Sequence, residues 1–334
     1  MKRLQNRISE SKTTLPAVVS YGAAAWLAGG ATEGRMWIPF ACFVISTALI
    51  MELNTSNALI RIYSRMVSCA FIVLSAMICP LTRACIAPPD DRSANIGIYL
   101  AGRYVGTAAP DVACSVALVC IIAAYSVLFH TYQNRSSMGR MYYSYVFLGI
   151  SSMLYVEMLF FIPFFWLLSV VCLQAASWRN FLATLFGLIT PYWFAAVTFV
   201  LNEDISVPAR HFALLAECLG SPDYSVLDVP RLVSLAFIVV LGITGTIHFY
   251  RTSYKDKIRI RMLYNFFIVM NFVSLVFLIL QPQHYNFLTG MMILNTSPLI
   301  AHFISLTQTR ITNIAFHLIT VTALLITAYN IWIS

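Results

Sequence analysis

Long apolar blocks of about 16–23 residues, divided by short polar segments, constrain this chain more than any other feature of its sequence. A helix rises about 1.5 Å per residue, so about 20 apolar residues cross the ~30 Å hydrocarbon core of a bilayer. The composition agrees, because 60% of the residues are hydrophobic and only 10% are charged. Soluble domains average about 45–50% apolar residues and about 25% charged residues. The blocks therefore predict transmembrane helices rather than the core of a soluble protein.

The number of blocks predicts an all-α, polytopic transmembrane bundle of about eleven spans. The bundle is expected to be a single integral membrane domain over residues 1–334, since no long linker or internal repeat divides the chain. The predicted spans are roughly 15–30, 37–53, 66–81, 112–131, 141–154, 158–176, 181–201, 232–250, 262–281, 286–305 and 311–332.

Basic residues give the bundle an orientation. With the N-terminus in the cytoplasm, the segments predicted to lie inside carry fifteen of the 21 lysines and arginines, and the outer segments carry six. An excess of basic residues marks the cytoplasmic side of a membrane protein. We therefore expect a cytoplasmic N-terminus and an external C-terminus. The same rule accounts for the net charge of +8, so nucleic acid is not expected as a partner.

The stretch "SSMLYVEMLFFIPFFW" breaks one long apolar block. Residues 141–178 would form a helix about 57 Å long, nearly twice the thickness of the hydrocarbon core. Two helices with a tight turn near Tyr155–Glu157 are the better prediction. Glu157 is then either a turn residue near the membrane interface or a carboxylate that lines a cavity open to the outside. In a cavity, desolvation would make it suited to proton exchange.

Two predicted outer loops, 82–111 and 202–231, are long enough to hold structure. The second contains a predicted amphipathic helix that starts near Pro208 and stops near Gly220. Nine of the 13 acidic residues fall on the predicted outer face. They indicate either ordinary solvation of loops or an outward-facing site for a proton, a cation or a divalent metal. No other cofactor is predicted, because the chain lacks nucleotide-binding, HExxH and GxSxG motifs.

The stretch "MMILNTSPLIAH" places polar residues inside a predicted span. Pro298 removes one backbone hydrogen bond, and neighbouring Ser or Thr side chains can satisfy the group it frees. The pattern indicates either a structural kink or a broken helix that lines a binding site. In the second case Asn295, Ser297 and His302 would line the cavity.

Residues 134–204 resemble an uncharacterised family of polytopic inner-membrane proteins from Bacteroidota. The resemblance rests on a short helix with Gly149, a turn, an aromatic helix with Pro163, "SWRN", and "GLITPYWF" in the next span. The stretch is more faintly similar to the membrane glycosyltransferases of the GT-C fold, which use polyprenyl-phosphate sugars. This second resemblance implies a catalytic acid in an outer loop near the N-terminus.

The resemblance and the outer acids together nominate a catalytic set and a phosphate-binding set. The catalytic candidates are Glu33, Asp90, Asp91 and Glu157. One of these carboxylates would act as a general base on an acceptor hydroxyl. The lipid phosphate would be held by Arg92 or Arg103.

Three functions remain open at this point. The first is a bacterial inner-membrane protein of the cell envelope that handles a polyprenyl-phosphate-linked sugar or similar lipid on the outer face. The second is a transporter or flippase of a lipid or small solute, as the polar span around Pro298 and Glu157 suggest. The third is a non-catalytic subunit that binds another membrane protein. All three require the lipid bilayer as a partner.

Overall fold

The structure is a computed structural model. It describes residues 11, 13–28, 37–56, 61–82, 109–201, 206–217, 222, 224–306 and 310–333. Within these residues the chain forms twelve α-helices joined by turns and short 3₁₀ segments, with no strand. The helices are α1 (Thr14–Trp26), α2 (Trp37–Ser56), α3 (Arg61–Thr82), α4 (Ala109–Phe129), α5 (Met138–Leu154), α6 (Ile162–Val171), α7 (Trp178–Leu201), α8 (Ser206–Glu217), α9 (Val229–Thr252), α10 (Ile258–Leu280), α11 (Tyr285–Leu306) and α12 (Arg310–Ile333).

The all-α class is confirmed for the described residues, and helical structure overlaps each of the eleven predicted spans. Six segments are long and apolar enough to cross a membrane, judged by length and composition. They are Val112–Phe129, Trp178–Val197, Val229–Thr252, Ile258–Leu280, Pro282–Ser305 and Thr312–Ile333. The architecture is therefore that of a multi-pass helical membrane protein. The count of eleven crossings and the orientation of the termini stay predictions.

The predicted break in the 141–178 block is present. Helix α5 ends at Leu154, and Tyr155 takes an extended conformation with φ −134° and ψ 101°. A 3₁₀ segment follows over Val156–Phe161, and α6 then starts with Pro163 in its first turn. Proline suits that position because the first amides of a helix have no partner within the helix. Helix α6 ends at Val171, short of the predicted boundary at residue 176, and Gln174 in the segment that follows takes a left-handed φ of 53°.

The contacts divide the chain into two compact units. Unit 1 comprises residues 1–40, 50–85 and 223–334, and unit 2 comprises residues 41–49 and 86–222. In unit 1, helix α11 packs against α3, α9 and α10, and 94% of its apolar window is buried. Polar groups join the surrounding helices. Asn330 donates to the carbonyl of Met77 at 2.8 Å and to Ser234 Oγ at 3.1 Å.

Unit 2 is built on α5, which packs against both α4 and α7. Two glycines allow α5 and α7 to approach closely. A Cβ at Gly149 would lie 2.9 Å from the carbonyl oxygen of Leu188, and one at Gly187 would collide with the carbonyl oxygen of Tyr142. The 3₁₀ segment Val156–Phe161 is packed by α5, α6 and α8. Helix α8 agrees with the amphipathic helix predicted for the second outer loop.

Candidate functional site

Most of the predicted catalytic and phosphate-binding residues lie outside the described part of the chain. These are Glu33, Asp90, Asp91, Arg92 and Arg103. Their predicted roles stay predictions. The structure does place Glu157, which occupies the first turn of the 3₁₀ segment and is 5% exposed. This carboxylate is therefore buried in unit 2, between α5, α6 and α8.

Asn295 and Ser297 lie in α11 and are fully or almost fully buried. Each bonds within its own helix. Asn295 Nδ2 donates to the Met291 carbonyl at 2.9 Å, and Ser297 Oγ donates to the Ile293 carbonyl at 2.6 Å. Such bonds back to residue i−4 are typical of polar side chains inside apolar helices. They agree with the structural alternative for this span, and a role in lining a cavity stays a prediction for both residues.

His302 is the predicted residue that the structure connects to other ionisable groups. Its Nε2 lies 3.0 Å from Asp256 Oδ2, and its Nδ1 lies 3.4 Å from His248 Nδ1. His302 is 1% exposed and the side chain of Asp256 is 12% exposed. Three side chains from α9, α11 and the turn after α9 thus form one chain, which we call the Asp–His–His chain.

Local structure fixes each member of the Asp–His–His chain. His248 lies one helical turn before the end of α9, where Thr252 Oγ1 donates to its carbonyl at 2.9 Å. A 3₁₀ turn, Ser253–Lys255, then carries the chain to Asp256, whose amide donates to the Ser253 carbonyl at 3.1 Å. The carboxylate is thereby brought back beside the helix end that precedes it.

Aromatic rings enclose the imidazole of His302. Phe249 and Tyr264 stack on each other with centroids 5.0 Å apart, and both present their faces or edges to His302. Phe303 meets His248 edge to face at 5.2 Å. His248 is only partly buried, but the rings keep water from the imidazole of His302, which is 1% exposed. In such a dry site each hydrogen bond is electrostatically stronger than in water.

The hydrogen-bond directions follow from the acceptor at one end. Because the Asp256 carboxylate accepts, Nε2–H of His302 donates to it, which leaves Nδ1 of a neutral His302 as an acceptor. Nδ1–H of His248 then donates to that nitrogen. Nε2 of His248 becomes the bare nitrogen at the far end. This atom is buried and has no hydrogen-bond partner among the residues that the structure describes.

The residues of the Asp–His–His chain are recognisable in the sequence, but they lie too far apart to form a local motif. Asp256 is the only acidic residue between positions 229 and 334, and it stands in the basic stretch "RTSYKDKIRIR". His248 and His302 lie 54 residues apart, so no local motif links them. A lone acid just after a span that ends with His248, followed two spans later by His302, is the pattern that could have identified the site.

Unit 2 contains a second polar chain near the 3₁₀ segment. Ser152 Oγ lies 2.8 Å from the hydroxyl of Tyr192, which lies 3.4 Å from Nε2 of His211. His211, on α8, is fully buried, and this burial lowers its pKa to about 4. A histidine with so low a pKa is neutral at physiological pH and acts as a hydrogen-bonding group.

No group of three or more potential ligands in the described part of the chain could hold a metal ion. In the Asp–His–His chain both imidazole nitrogens of His302 face protein partners, which suits proton exchange rather than metal ligation. Comparison with known proteins finds no matching family model, no matching curated protein and no matching solved structure. Function is therefore inferred from the residues of the site itself.

Proposed function

We propose that this chain is a multi-pass membrane transporter or flippase in which the Asp–His–His chain carries the proton that drives the movement of its substrate. One observation carries the proposal: the hydrogen bonds from His248 through His302 to Asp256, at 3.4 and 3.0 Å, inside an apolar helical bundle. Ionisable side chains in membrane spans are costly and mark proton or substrate pathways by default.

The proton path can be written atom by atom. A proton binds Nε2 of His248, and the proton on Nδ1 of His248 passes to Nδ1 of His302. The proton on Nε2 of His302 then passes to Oδ2 of Asp256. Each imidazole takes one proton and releases another, so both stay neutral and only the charge of the Asp256 carboxylate changes, from −1 to 0. At the other end, 12% of the Asp256 side chain is accessible, and this residue connects the Asp–His–His chain to the turn after α9.

The substrate and the setting complete the proposal. We infer a lipid substrate, with a polyprenyl-phosphate-linked sugar or a related envelope lipid as the leading class, and a small solute as the alternative. The protein would reside in a bacterial inner membrane with about eleven spans, a cytoplasmic N-terminus and an external C-terminus. The basic stretch around Asp256 supports this orientation, since it would then face the cytoplasm.

The test measures proton binding and lipid movement in the same vesicles. The full chain is reconstituted into phosphatidylcholine–phosphatidylglycerol vesicles on a solid-supported membrane, and a pH jump is applied. The wild type should give a transient current, and His302→Gln and His248→Gln should abolish it. The matched control is His317→Gln, because His317 is exposed on α12 and takes no part in the chain.

The second readout is the translocation of a fluorescently labelled phosphatidylglycerol, followed by dithionite bleaching. Translocation should be faster with an imposed pH gradient, and His302→Gln should remove this acceleration. The proposal is wrong if wild-type vesicles give neither signal. It is also wrong if His302→Gln and His248→Gln both behave like the wild type and the His317→Gln control.

The enzymatic form of the lipid-linked-sugar function has its own test, which is independent of the Asp–His–His chain. Glu33→Gln, Asp90→Asn, Asp91→Asn and Glu157→Gln are made singly. At least one of them should abolish glycan transfer or an equivalent envelope phenotype. Survival of the phenotype in all four variants would exclude the catalytic form. A non-catalytic partner subunit instead predicts tolerance of every one of these substitutions and co-purification with another membrane protein.

A further inference from the structure

Unit 2 contains a cleft at the end where α4 is joined to α5 and α6 to α7. It has a volume of about 430 Å³ and is lined by residues of α5, α6, α7 and the 172–177 segment. Four aromatic residues, Tyr145, Trp166, Trp178 and Phe181, form much of its wall. Clefts of about 300–1,000 Å³ with aromatic walls and a few polar groups are the usual form of small-molecule sites.

Hydrogen bonds hold the floor of the cleft in place. The amide of Ala175 donates to the Ser169 carbonyl at 3.2 Å, and the amide of Gln133 donates to the Leu173 carbonyl at 2.8 Å. Asn180 Nδ2 donates to the Ala175 carbonyl at 2.8 Å. The turn between α4 and α5 and the 172–177 segment are therefore fixed to one another. The cleft is formed before any ligand arrives, which lowers the entropic cost of binding.

Asn180 also supplies an unused acceptor. It lines the cleft and is 2% exposed, and its Oδ1 has no hydrogen-bond partner among the residues that the structure describes. A buried acceptor without a donor is destabilising, because it has given up its hydrogen bonds to water without a replacement. The cost is removed by a ligand that brings a hydroxyl or amine into the cleft.

The charges at this end of unit 2 are all positive. Arg140 precedes Met141, which lines the cleft, and the exposed Arg179 lies between the lining residues Trp178 and Asn180. Arg135 is exposed in the turn between α4 and α5. From residue 112 to residue 202 the sequence has one acid, Glu157, which lies at the other end of α5 and α6. An anion is therefore the complementary ligand.

Apolar side chains continue from the cleft along the outside of unit 2. Val170 and Val171 on α6 are more than half exposed, and Phe186 on α7 is 64% exposed. Trp178, 71% exposed, begins a candidate membrane span. Tryptophans at span ends lie at the level of the lipid headgroups. A ligand in the cleft is thus positioned to extend hydrocarbon along the membrane-facing surface.

We propose that this cleft binds the headgroup of an anionic phospholipid from the surrounding leaflet. The phosphate lies beside Arg140 and Arg179, a headgroup hydroxyl donates to Oδ1 of Asn180, and the acyl chains follow the exposed face of α6 and α7. Arg140 Nη1 already donates to the carbonyl of His130 at 2.7 Å. This bond fixes the guanidinium, whose other N–H groups face no described partner that the headgroup would displace. The site is distinct from the Asp–His–His chain and does not depend on it.

Native mass spectrometry of the full chain, titrated with phosphatidylglycerol or phosphatidylcholine, tests the site. The wild type should retain phosphatidylglycerol in preference. Arg179→Gln and Arg140→Gln should each weaken that preference about fivefold, as expected for the loss of one basic residue at an anionic surface. Arg210→Gln is the matched control, because Arg210 is exposed on α8, at the end of unit 2 that holds Glu157. It should leave the preference unchanged.

A steric variant separates the cleft from general charge attraction. Ala176 is exposed and lines the cleft, so Ala176→Trp should fill it and reduce phosphatidylglycerol retention with every arginine still present. Ala196→Trp on the exposed face of α7 is its control. Thermal unfolding checks that each variant is folded. The proposal is overturned if Arg210→Gln weakens binding as much as Arg179→Gln, if Ala176→Trp binds like the wild type, or if inorganic phosphate alone displaces the lipid.

Discussion

His302 has two different partners, a carboxylate on one ring nitrogen and an imidazole on the other. The carboxylate fixes the tautomer, and the second imidazole, that of the less buried His248, extends the chain to α9. Neither neighbour alone would carry a proton across the site, because an Asp–His pair only shares one proton between its two members. The functional content of the site therefore depends on His248 as much as on the more deeply buried His302.

Asp256→Asn tests how strongly the carboxylate anchors the chain. The substitution keeps the shape of the side chain and removes its charge, so Nε2–H of His302 loses a charged acceptor. Hydrogen bonds to charged groups contribute about 1.5–3 kcal/mol. The amide oxygen still accepts a weaker, neutral hydrogen bond, so we expect the free energy of unfolding, measured by denaturant titration of the purified protein in detergent, to fall by about 1 kcal/mol.

Asp228→Asn is the control for the Asp256 substitution. The side chain of Asp228 is 65% exposed, and its carboxylate lies 3.9 Å from Nη1 of Arg231. Surface ion pairs contribute about 0–1 kcal/mol. If Asp228→Asn is as destabilising as Asp256→Asn, the carboxylate of Asp256 has no special role in the fold.

His211 should make the stability of unit 2 depend on pH. Burial lowers the pKa of His211 to about 4 from the ordinary value of 6.5. Both the folded and the unfolded chain hold this histidine neutral above pH 6.5. Between about 6.5 and about 4 the unfolded chain gains a proton that the folded chain does not. Stability therefore falls as the pH falls through this window, with a slope of at most about 1.4 kcal/mol per pH unit from this group.

The measurement compares unfolding midpoints across that pH window in the wild type and in His211→Gln. The glutamine cannot titrate, so its curve should be flatter than that of the wild type. His317→Gln, on an exposed position of α12, should keep the wild-type slope. Equal slopes in the wild type and His211→Gln would show that His211 is not the titrating group.

At the scale of single residues, the sequence showed which polar side chains lie in apolar spans but not which residues they contact. It nominated His302 as one of three residues that would line a cavity if the span around Pro298 were broken, and this role stays a prediction. It did not predict that Asp256 and His248 contact His302. These contacts depend on the turn after α9 and on the packing of α9 beside α11. Contacts between residues 46 and 54 positions apart are set by packing, which no local pattern encodes.

At the scale of helices, length alone predicted the break at Tyr155. A continuous helix over 141–178 would exceed the membrane thickness, and the structure ends α5 at Leu154. Length does not determine what replaces the helix. The 3₁₀ segment buries Glu157 instead of leaving it at an exposed turn, because α8 packs over the segment. Helix α8 lies some fifty residues further along the sequence, so its packing over Glu157 is a tertiary contact that helix length cannot predict.

The close approach of α5 and α7 gives a stability prediction. Gly187→Ala places a Cβ against the carbonyl oxygen of Tyr142 and 3.1 Å from the Cβ of Tyr145. Backbone atoms cannot move aside cheaply, and overpacking of this kind costs about 1–3 kcal/mol. We expect a lower midpoint of thermal unfolding in detergent.

Gly139→Ala in the first turn of α5 provides the contrast. A Cβ at Gly139 would meet no atom within 4 Å, and alanine favours helix more than glycine does. This substitution should leave the midpoint unchanged or raise it slightly. A midpoint of thermal unfolding that falls in Gly187→Ala but not in Gly139→Ala supports close helix packing at Gly187. An equal fall in both variants would contradict it.

At the scale of the whole molecule, the arginines of residues 112–202 lie at the opposite end of α5 and α6 from the one acid in that range. In unit 2 Arg135 lies in the connection from α4 to α5, and Arg140 and Arg179 lie in the first turns of α5 and α7, whereas Glu157 lies between α5 and α6. The basic residues thus fall at or beside alternate connections, as the positive-inside rule requires of a chain that crosses the membrane repeatedly. The sequence could predict this alternation because each span reverses the direction of the chain.

The number of crossings is the part of the topology that the sequence predicts least securely. Six segments meet the length and hydropathy of a span, and Trp37–Leu53, Arg65–Leu81 and Val156–Val171 are shorter apolar helices. Helix α1 has 13 residues. Whether a short helix crosses depends on local thinning of the bilayer and on packing against its neighbours. Hydropathy does not report either property.

Epitope tags at the two termini distinguish odd from even numbers of crossings. With about eleven spans, an N-terminal tag should be protected from protease in intact spheroplasts and a C-terminal tag should be cleaved. An exposed cysteine placed at Ser136, before α5, should react with an impermeant maleimide only after permeabilisation, and one at Ser225, before α9, should react in intact cells. A cysteine-free background is required because the chain has eight cysteines. Protection of both terminal tags would imply an even number of crossings. Labelling of position 136 in intact cells would reverse the orientation and place the arginine-bearing end of unit 2 outside.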